Sequence, residues 1–216
     1  NGTAGESVLD SYKVFEVGGK KIAFVGITTP ESFTKSTPAY FQDGKGNYIY
    51  GIAGGKDGAE LYAAVQKAID AAAKEADYVI ALGHLGDDPA SDPWNSEDVI
   101  EHTTGLLAFI DGHSHSPLDQ IKAATNGTGK VGNAYLTSTG TKLANVGVVD
   151  IAPDGIITTS NVPLDTLTAE NADTAAVIQR IQQQIDADYG AVFAQSEVQL
   201  NGEKAQVRTG ETNLGD

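Results

Sequence analysis

Short apolar runs alternate with polar, glycine-rich stretches along the chain, and this order predicts an α/β fold. Residues 12–17 and 21–27 are rich in β-branched and aromatic side chains, and the two glycines between them favour a hairpin turn. Apolar positions three and four apart over residues 58–76 predict a helix. The uninterrupted apolar run at 78–82 is typical of a buried strand.

A second cycle of loop, helix and strand follows. A polar loop over residues 83–93 leads to a short helix, for which Asn95 or Ser96 is the candidate cap, and then to an apolar strand at 106–110. Both buried strands run directly into a histidine motif. The remaining expectations are a long loop at 28–56, strands at 134–137, 146–151, 156–159 and 196–200, and a helix at 174–189.

Composition narrows the classes of function. The chain has 216 residues, 40% of them hydrophobic, which is enough for a core, and no apolar run approaches the length of about 18 that a membrane span requires. Its net charge of −15 repels polyanions, so a nucleic-acid polymer or an anionic membrane is not expected as a partner. A small phosphorylated substrate remains compatible, because bound cations would reverse the local field. The absence of cysteine excludes disulfides and thiolate chemistry.

Three of the four histidines follow the predicted buried strands. His84 comes after the first strand, and His113 and His115 come after the second. The carboxyl ends of strands in an open α/β sheet are where ligands bind. If strand geometry continues to residue 115, the period of two places the imidazoles of His113 and His115 on one face. A lone histidine is usually a hydrogen-bonded residue, but these motifs together favour a metal site. His102 is expected to end a helix.

Other histidine chemistries fit less well. A metallo-β-lactamase pattern would need Asp-His where Pro117 and Leu118 stand, and an amidohydrolase barrel would place further histidines downstream. The zinc-protease pattern H-E-x-x-H is absent from the sequence.

The motifs ALGHLG at residues 81–86 and FIDGHSHS at 109–116 resemble the 5′-nucleotidase branch of the calcineurin-like metallophosphoesterases. Residues 15–31, 136–140 and 200–215 continue the similarity over nearly the whole chain. The resemblance implies an α/β fold, a partial αββα metallophosphoesterase sandwich followed by an interdomain helix. It implies three parts: the C-terminal half of the catalytic domain (1–165), a linker helix (166–194) and the beginning of a nucleotide-binding domain (195–216).

By the same resemblance, the family's dinuclear site takes ligands from five sequence blocks, and this chain contains the last two. His84 and His113 would bind one metal ion, and His115 would bind the other. Arg208 matches an arginine that approaches the substrate phosphate, and its planar fork suits that role. Asp111 is expected to have a structural or supporting role at best. No catalytic acid or base of the family is matched in this chain.

The resemblance implies hydrolysis of nucleoside 5′-monophosphates with two divalent metal ions, zinc or manganese first and magnesium, calcium or iron as alternatives. A 2′,3′-cyclic nucleotide phosphodiesterase and a UDP-sugar hydrolase are the alternatives within the class. A catalytically incomplete binding or assembly piece is the non-enzymatic alternative. Because three ligand blocks are lacking, we expect the isolated segment to be inactive and to need an N-terminal half and a C-terminal domain of the same protein. The family places such proteins in nucleotide catabolism outside the cell, in the cell wall or in the periplasm.

Overall fold

The first part of the chain is built on a mixed six-stranded sheet, in a computed structural model that describes residues 6–214. The strands are β1 (Tyr12–Val17), β2 (Lys20–Thr28), β3 (Tyr78–His84), β4 (Ala108–Ile110), β5 (Lys130–Val131) and β6 (Ala134–Thr137). The strand order is β1-β2-β3-β4-β6-β5, with β2, β3, β4 and β6 parallel and the edge strands β1 and β5 antiparallel. The α/β class is confirmed.

The predicted glycine hairpin joins β1 to β2. Val17 pairs with Lys20, and the two residues between them, Gly18 and Gly19, have φ of 59° and 76°. Two consecutive positive φ values match the right-handed twist of a hairpin, and glycine adopts them without the strain that a Cβ would cause.

Four helices accompany this sheet, and the last three contribute buried side chains to its core. They are α1 (Ser32–Lys35), α2 (Ala59–Ala72), α3 (Ser96–Glu101) and α4 (Leu118–Ala124), with 3₁₀ turns at Pro38–Phe41 and Pro89–Ser91. The helical period of α2 is confirmed, because its apolar side chains are buried against the sheet. Asn95 caps α3 by accepting a hydrogen bond from the Asp98 amide at 2.8 Å, as expected. The core includes Val25, Ile69, Ala81, Phe109 and Leu136.

The face of the sheet opposite this core is exposed in part in the described residues, although Ile80 and Ala108 on that face are buried. Phe15 and Val17 of β1 and Leu82 of β3 are exposed, Leu82 by 54%.

The predicted long loop at 28–56 is wrong in part, because α1 and a 3₁₀ turn interrupt it. Glu31 is the N-cap residue of α1 and follows Pro30 directly.

A separate hairpin follows β6 as predicted. It consists of β7 (Asn145–Ile151) and β8 (Ile157–Pro163), and Asp154 closes its turn by accepting a hydrogen bond from the Ile156 amide at 3.0 Å. The side chains of Asn145 and Asn161 donate to the carbonyls of Thr139 and Ser138, which attaches the hairpin to the chain after β6. A 3₁₀ turn at Leu164–Thr166 ends this unit.

The chain divides into two compact units, of which the first ends at Leu167 and the second begins at Thr168. The second contains α5 (Ala172–Tyr189) and the short α6 (Lys204–Val207). The predicted strand at 196–200 is wrong. The Ser196 hydroxyl donates a hydrogen bond to the Val198 carbonyl, so this carbonyl has a local partner and does not pair with a neighbouring strand. Within residues 6–214, no helix is long and apolar enough to cross a membrane.

Candidate functional site

The first predicted ligand, His84, is the last residue of β3 and is exposed at the carboxyl end of the parallel strands. The preceding Gly83 packs against Phe109, since a Cβ at this position would lie 2.3 Å from Phe109 Cε1. Because Phe109 is completely buried, a larger residue at position 83 would force the ring or the strands to move. The glycine therefore permits close packing of β3 on the end of β4.

The other two predicted ligands lie in a turn. β4 ends at Ile110, and His113 and His115 have left-handed backbone conformations with φ of 86° and 61°. The expectation that strand geometry continues and places both imidazoles on one face is therefore wrong. Histidine is among the residues enriched at positive φ, but such a conformation costs about 1–3 kcal/mol and persists only where the surroundings determine it.

The two serines of the GHSH motif provide those surroundings. Ser114 Oγ accepts hydrogen bonds from the amides of Asp87 and Asp88 at 3.0 and 3.1 Å. The Ser116 hydroxyl donates to Asp87 Oδ1 at 2.6 Å. Gly86 makes this contact possible, because a Cβ there would lie 2.3 Å from Ser114 Oγ. The serines thus join the loop after β4 to the loop after β3.

Asp111 makes a further connection between the same loops. Its Oδ1 accepts a hydrogen bond from the Leu85 amide at 2.9 Å. Burial raises the pKa of the Asp111 carboxyl above its ordinary value, although backbone hydrogen bonds from Leu85 and Gly112 act in the opposite direction. The contact with Leu85 gives Asp111 a structural part in holding the histidine loops together.

These connections bring His84 and His113 together. Their ring centroids are 5.0 Å apart and their planes meet at 65°. Two imidazoles that share a tetrahedral ion, with metal–nitrogen distances of about 2.0–2.1 Å, have centroids about 5 Å apart. Imidazole nitrogen is also a suitable donor for zinc and other transition metals. The pair therefore fits two ligands of one ion.

The described residues do not assemble a larger ligand set. Within residues 6–214, no three histidine, cysteine, aspartate or glutamate side chains lie close enough together to hold a metal ion. His115 is exposed beyond the pair. The histidine pair therefore fits only part of a metal coordination set, namely two of its ligands.

Glu31 is a site residue that the sequence did not single out. Its Oε2 lies 2.9 Å from Nε2 of His113, and Ser91 and Lys35 also donate to its carboxylate, each at 2.8 Å. Burial acts to raise the pKa of Glu31, but hydrogen bonds from these three residues outweigh it and lower that pKa below its ordinary value. The available signal was its position just after β2, next to the strand that ends at His84.

His102 lies away from this site, and its expected place at a helix end is confirmed. It is the C-cap of α3, where its Nδ1 lies 2.8 Å from the Asp98 carbonyl. Its ring stacks on Tyr62 with centroids 4.3 Å apart and an interplanar angle of 9°. Helix termination and ring stacking account for this histidine.

Arg208, the predicted phosphate contact, lies in the second unit. It is the C-cap of α6 and is exposed, rather than lying in an irregular loop. Its role remains a prediction.

Comparison with known proteins adds one sequence relative. The chain is 28% identical over 224 residues to the trifunctional nucleotide phosphoesterase protein YfkN of Bacillus subtilis (strain 168). The match covers 99% of this chain and 14% of YfkN, so the chain spans a small part of the length of that relative. No family model matches the chain.

Two solved structures share the fold. Sulfate thiohydrolase SoxB of Thermus thermophilus, in complex with glycerol, superposes with a TM-score of 0.63 at 16% identity, over 86% of this chain and 31% of SoxB. A Staphylococcus aureus protein assigned as a 5′-nucleotidase, in complex with α-ketoglutarate, gives a TM-score of 0.50 at 15% identity, over 84% of this chain and 35% of its own. The chain is thus similar in sequence to a nucleotide phosphoesterase and similar in fold to these two solved proteins.

Proposed function

We propose that this chain supplies part of a dinuclear metal site that hydrolyses nucleoside 5′-monophosphates to nucleoside and phosphate. The observation that carries the proposal is the pair of imidazoles from His84 and His113 at the carboxyl ends of β3 and β4, at a spacing that suits one shared ion. The name of the sequence relative, a nucleotide phosphoesterase, supports phosphoric ester chemistry.

The roles of the chain's own residues follow from their places. His84 and His113 would hold one ion, zinc or manganese by preference, and His115 would be a ligand of the second. Divalent ions held there would supply Lewis-acid activation and would neutralise charge on the phosphoryl group. Ser114, Ser116 and Asp111 keep the two histidine loops in contact. Such preorganisation matters because histidine side chains that must move when a metal ion binds lower the affinity for that ion.

The remaining ligands would come from other parts of the same protein. Within residues 6–214 the acidic side chains do not converge on the histidine pair to complete a metal site. Arg208 is proposed to contact the substrate phosphate through its guanidinium fork, since two parallel N–H donors match phosphate oxygens. An extracellular, cell-wall or periplasmic location is part of the same proposal.

Phosphate release from AMP, with added Mn²⁺ or Zn²⁺, tests the proposal in the isolated chain and in the complete protein. We expect phosphate release only in the complete protein. A chelator should abolish this activity, and adding the metal back should restore it. Activity in the isolated chain would contradict the assignment of a partial site. A complete protein that binds the metals and releases no phosphate would contradict the nucleotidase assignment.

Two histidine variants of the complete protein make the test specific. His113→Ala removes one of the paired imidazoles and should reduce metal-dependent turnover to background. His102→Ala changes a histidine that stacks on Tyr62, and should leave turnover near that of the unchanged protein. Circular dichroism melts of both variants show whether the fold is retained. Equal losses of turnover would refute the assignment of His113 as a ligand.

A further inference from the structure

We propose that Glu31 is a positioning residue, which holds the Nε2–H of His113 and thereby leaves Nδ1 as the nitrogen that binds a metal ion. The proposal rests on the proposed function, because it specifies the ligand atom and the orientation of one imidazole in that site.

The contact itself determines where the His113 proton lies. Glu31 Oε2 is 2.9 Å from His113 Nε2, and the side chains of the two residues are only 12% and 16% exposed. A carboxylate is an acceptor, so Nε2 must carry the proton of the shared hydrogen bond. In a neutral imidazole the other nitrogen, Nδ1, then has the free lone pair that metal coordination requires.

Glu31 is itself held in place by its other contacts. Ser91 Oγ donates to the same Oε2 at 2.8 Å, and Lys35 Nζ lies 2.8 Å from Oε1. Both oxygens of the Glu31 carboxylate are therefore held, which fixes the acceptor that faces His113.

Other carboxylates near these loops are committed elsewhere. Asp111 accepts from the Leu85 amide, and Asp87 accepts from the Ser116 hydroxyl. Glu31 is thus the carboxylate that the described structure places on the ring of His113.

The orientation matters because His113 acts as one of a pair. The His84 ring lies 5.0 Å from it at an angle of 65°, and rotation of the His113 ring would change this geometry. Metal-binding histidines commonly donate their second N–H to a carboxylate, and loss of that partner typically reduces metal affinity about 10–100-fold.

Three variants of the complete protein separate positioning from structure. Glu31→Leu removes the acceptor at similar volume, Glu31→Gln retains an acceptor oxygen without the charge, and Glu101→Gln changes an exposed carboxylate on α3 as the matched control. The Zn²⁺ dissociation constant is measured by competition with a chromophoric chelator. We expect it to rise about 10–100-fold in Glu31→Leu. It should rise less in Glu31→Gln and stay unchanged in Glu101→Gln.

A metal-free readout accompanies the affinities. Long-range ¹H–¹⁵N spectra of the chain should show the His113 proton on Nε2, protected from exchange, and this signal should disappear in Glu31→Leu while the backbone spectrum remains folded. A His113 proton on Nδ1, or wild-type Zn²⁺ affinity in a folded Glu31→Leu, would overturn the proposal. If the unchanged complete protein binds no Zn²⁺, the proposed metal site itself fails, whatever the position of the proton.

Discussion

The two units of the chain differ in how much of each is buried. In the first unit, β2, β3, β4 and α2 contribute side chains to one core, in which Phe109 and Ile69 are almost inaccessible. In the second, no described residue from 168 to 214 is buried. The apolar face of α5, formed by Val177, Ile178, Ile181 and Ile185, is 45–61% exposed. The first unit is therefore stabilised by its own core, whereas α5 has only local stabilisation from the described residues.

This difference separates two kinds of candidate site residue. His84 at the end of β3, Glu31 at the N-cap of α1 and His113 in the turn after β4 are held by packing and by hydrogen bonds between elements. Arg208 lies at the end of a four-residue helix with no buried side chain. A side chain that is held in this way is preorganised to bind a metal ion. An exposed arginine can act on a substrate only if further contacts order its side chain.

Removal of a core side chain from the first unit should have the largest effect on stability. Phe109→Ala creates a cavity where a fully buried ring packs against Gly83, and we expect a loss of about 3–5 kcal/mol in the free energy of unfolding. Phe193, which is 100% exposed in the second unit, is the matched control, and Phe193→Ala should change stability by less than about 0.5 kcal/mol. Urea denaturation measures both. Similar losses in the two variants would show that the second unit buries Phe193 in solution.

An intermediate effect is expected in the second unit, on activity rather than stability. In the complete protein, Arg208→Ala should lower kcat/KM for AMP about 10–100-fold, since a charge-assisted hydrogen bond to phosphate contributes about 1.5–3 kcal/mol. Arg180→Ala, on the exposed surface of α5, is the control and should leave kcat/KM unchanged. Both variants should keep the melting temperature of the parent. An unchanged kcat/KM in Arg208→Ala would remove Arg208 from the site.

The same contrast explains which features were predictable from sequence. The β1–β2 hairpin and α2 depend on local turn residues and on apolar period, and both formed as expected. The predicted continuation of strand geometry through residue 115 failed. The positive φ values in this turn depend on serine contacts to a loop about 30 residues earlier. The contact between Glu31 and His113 spans 82 residues. No periodicity encodes such a pair, which arises only when β2, β3 and β4 align.

The smallest effect concerns a carboxylate inside the first unit. Asp98 Oδ2 is buried and accepts no hydrogen bond from the described residues. Burial first, and then the negative charge of Asp92, raise the pKa of Asp98 above its ordinary value. The folded protein therefore binds this proton more tightly than the unfolded chain does. Stability is lost as pH rises through the folded pKa, and no penalty remains below about pH 3.9, the ordinary value of aspartate.

Asp98→Asn should accordingly stabilise the first unit at pH 7, by less than about 1 kcal/mol because the side chain is partly exposed and solvent screens its charge. Its advantage should shrink as the pH is lowered and vanish near pH 3. Glu170→Gln neutralises an exposed carboxylate in the second unit and should give no comparable gain at either pH. Melting temperatures of the three proteins across this range make the comparison. A gain that persists at pH 3 would mean that packing, and not the ionised carboxylate, limits stability at Asp98.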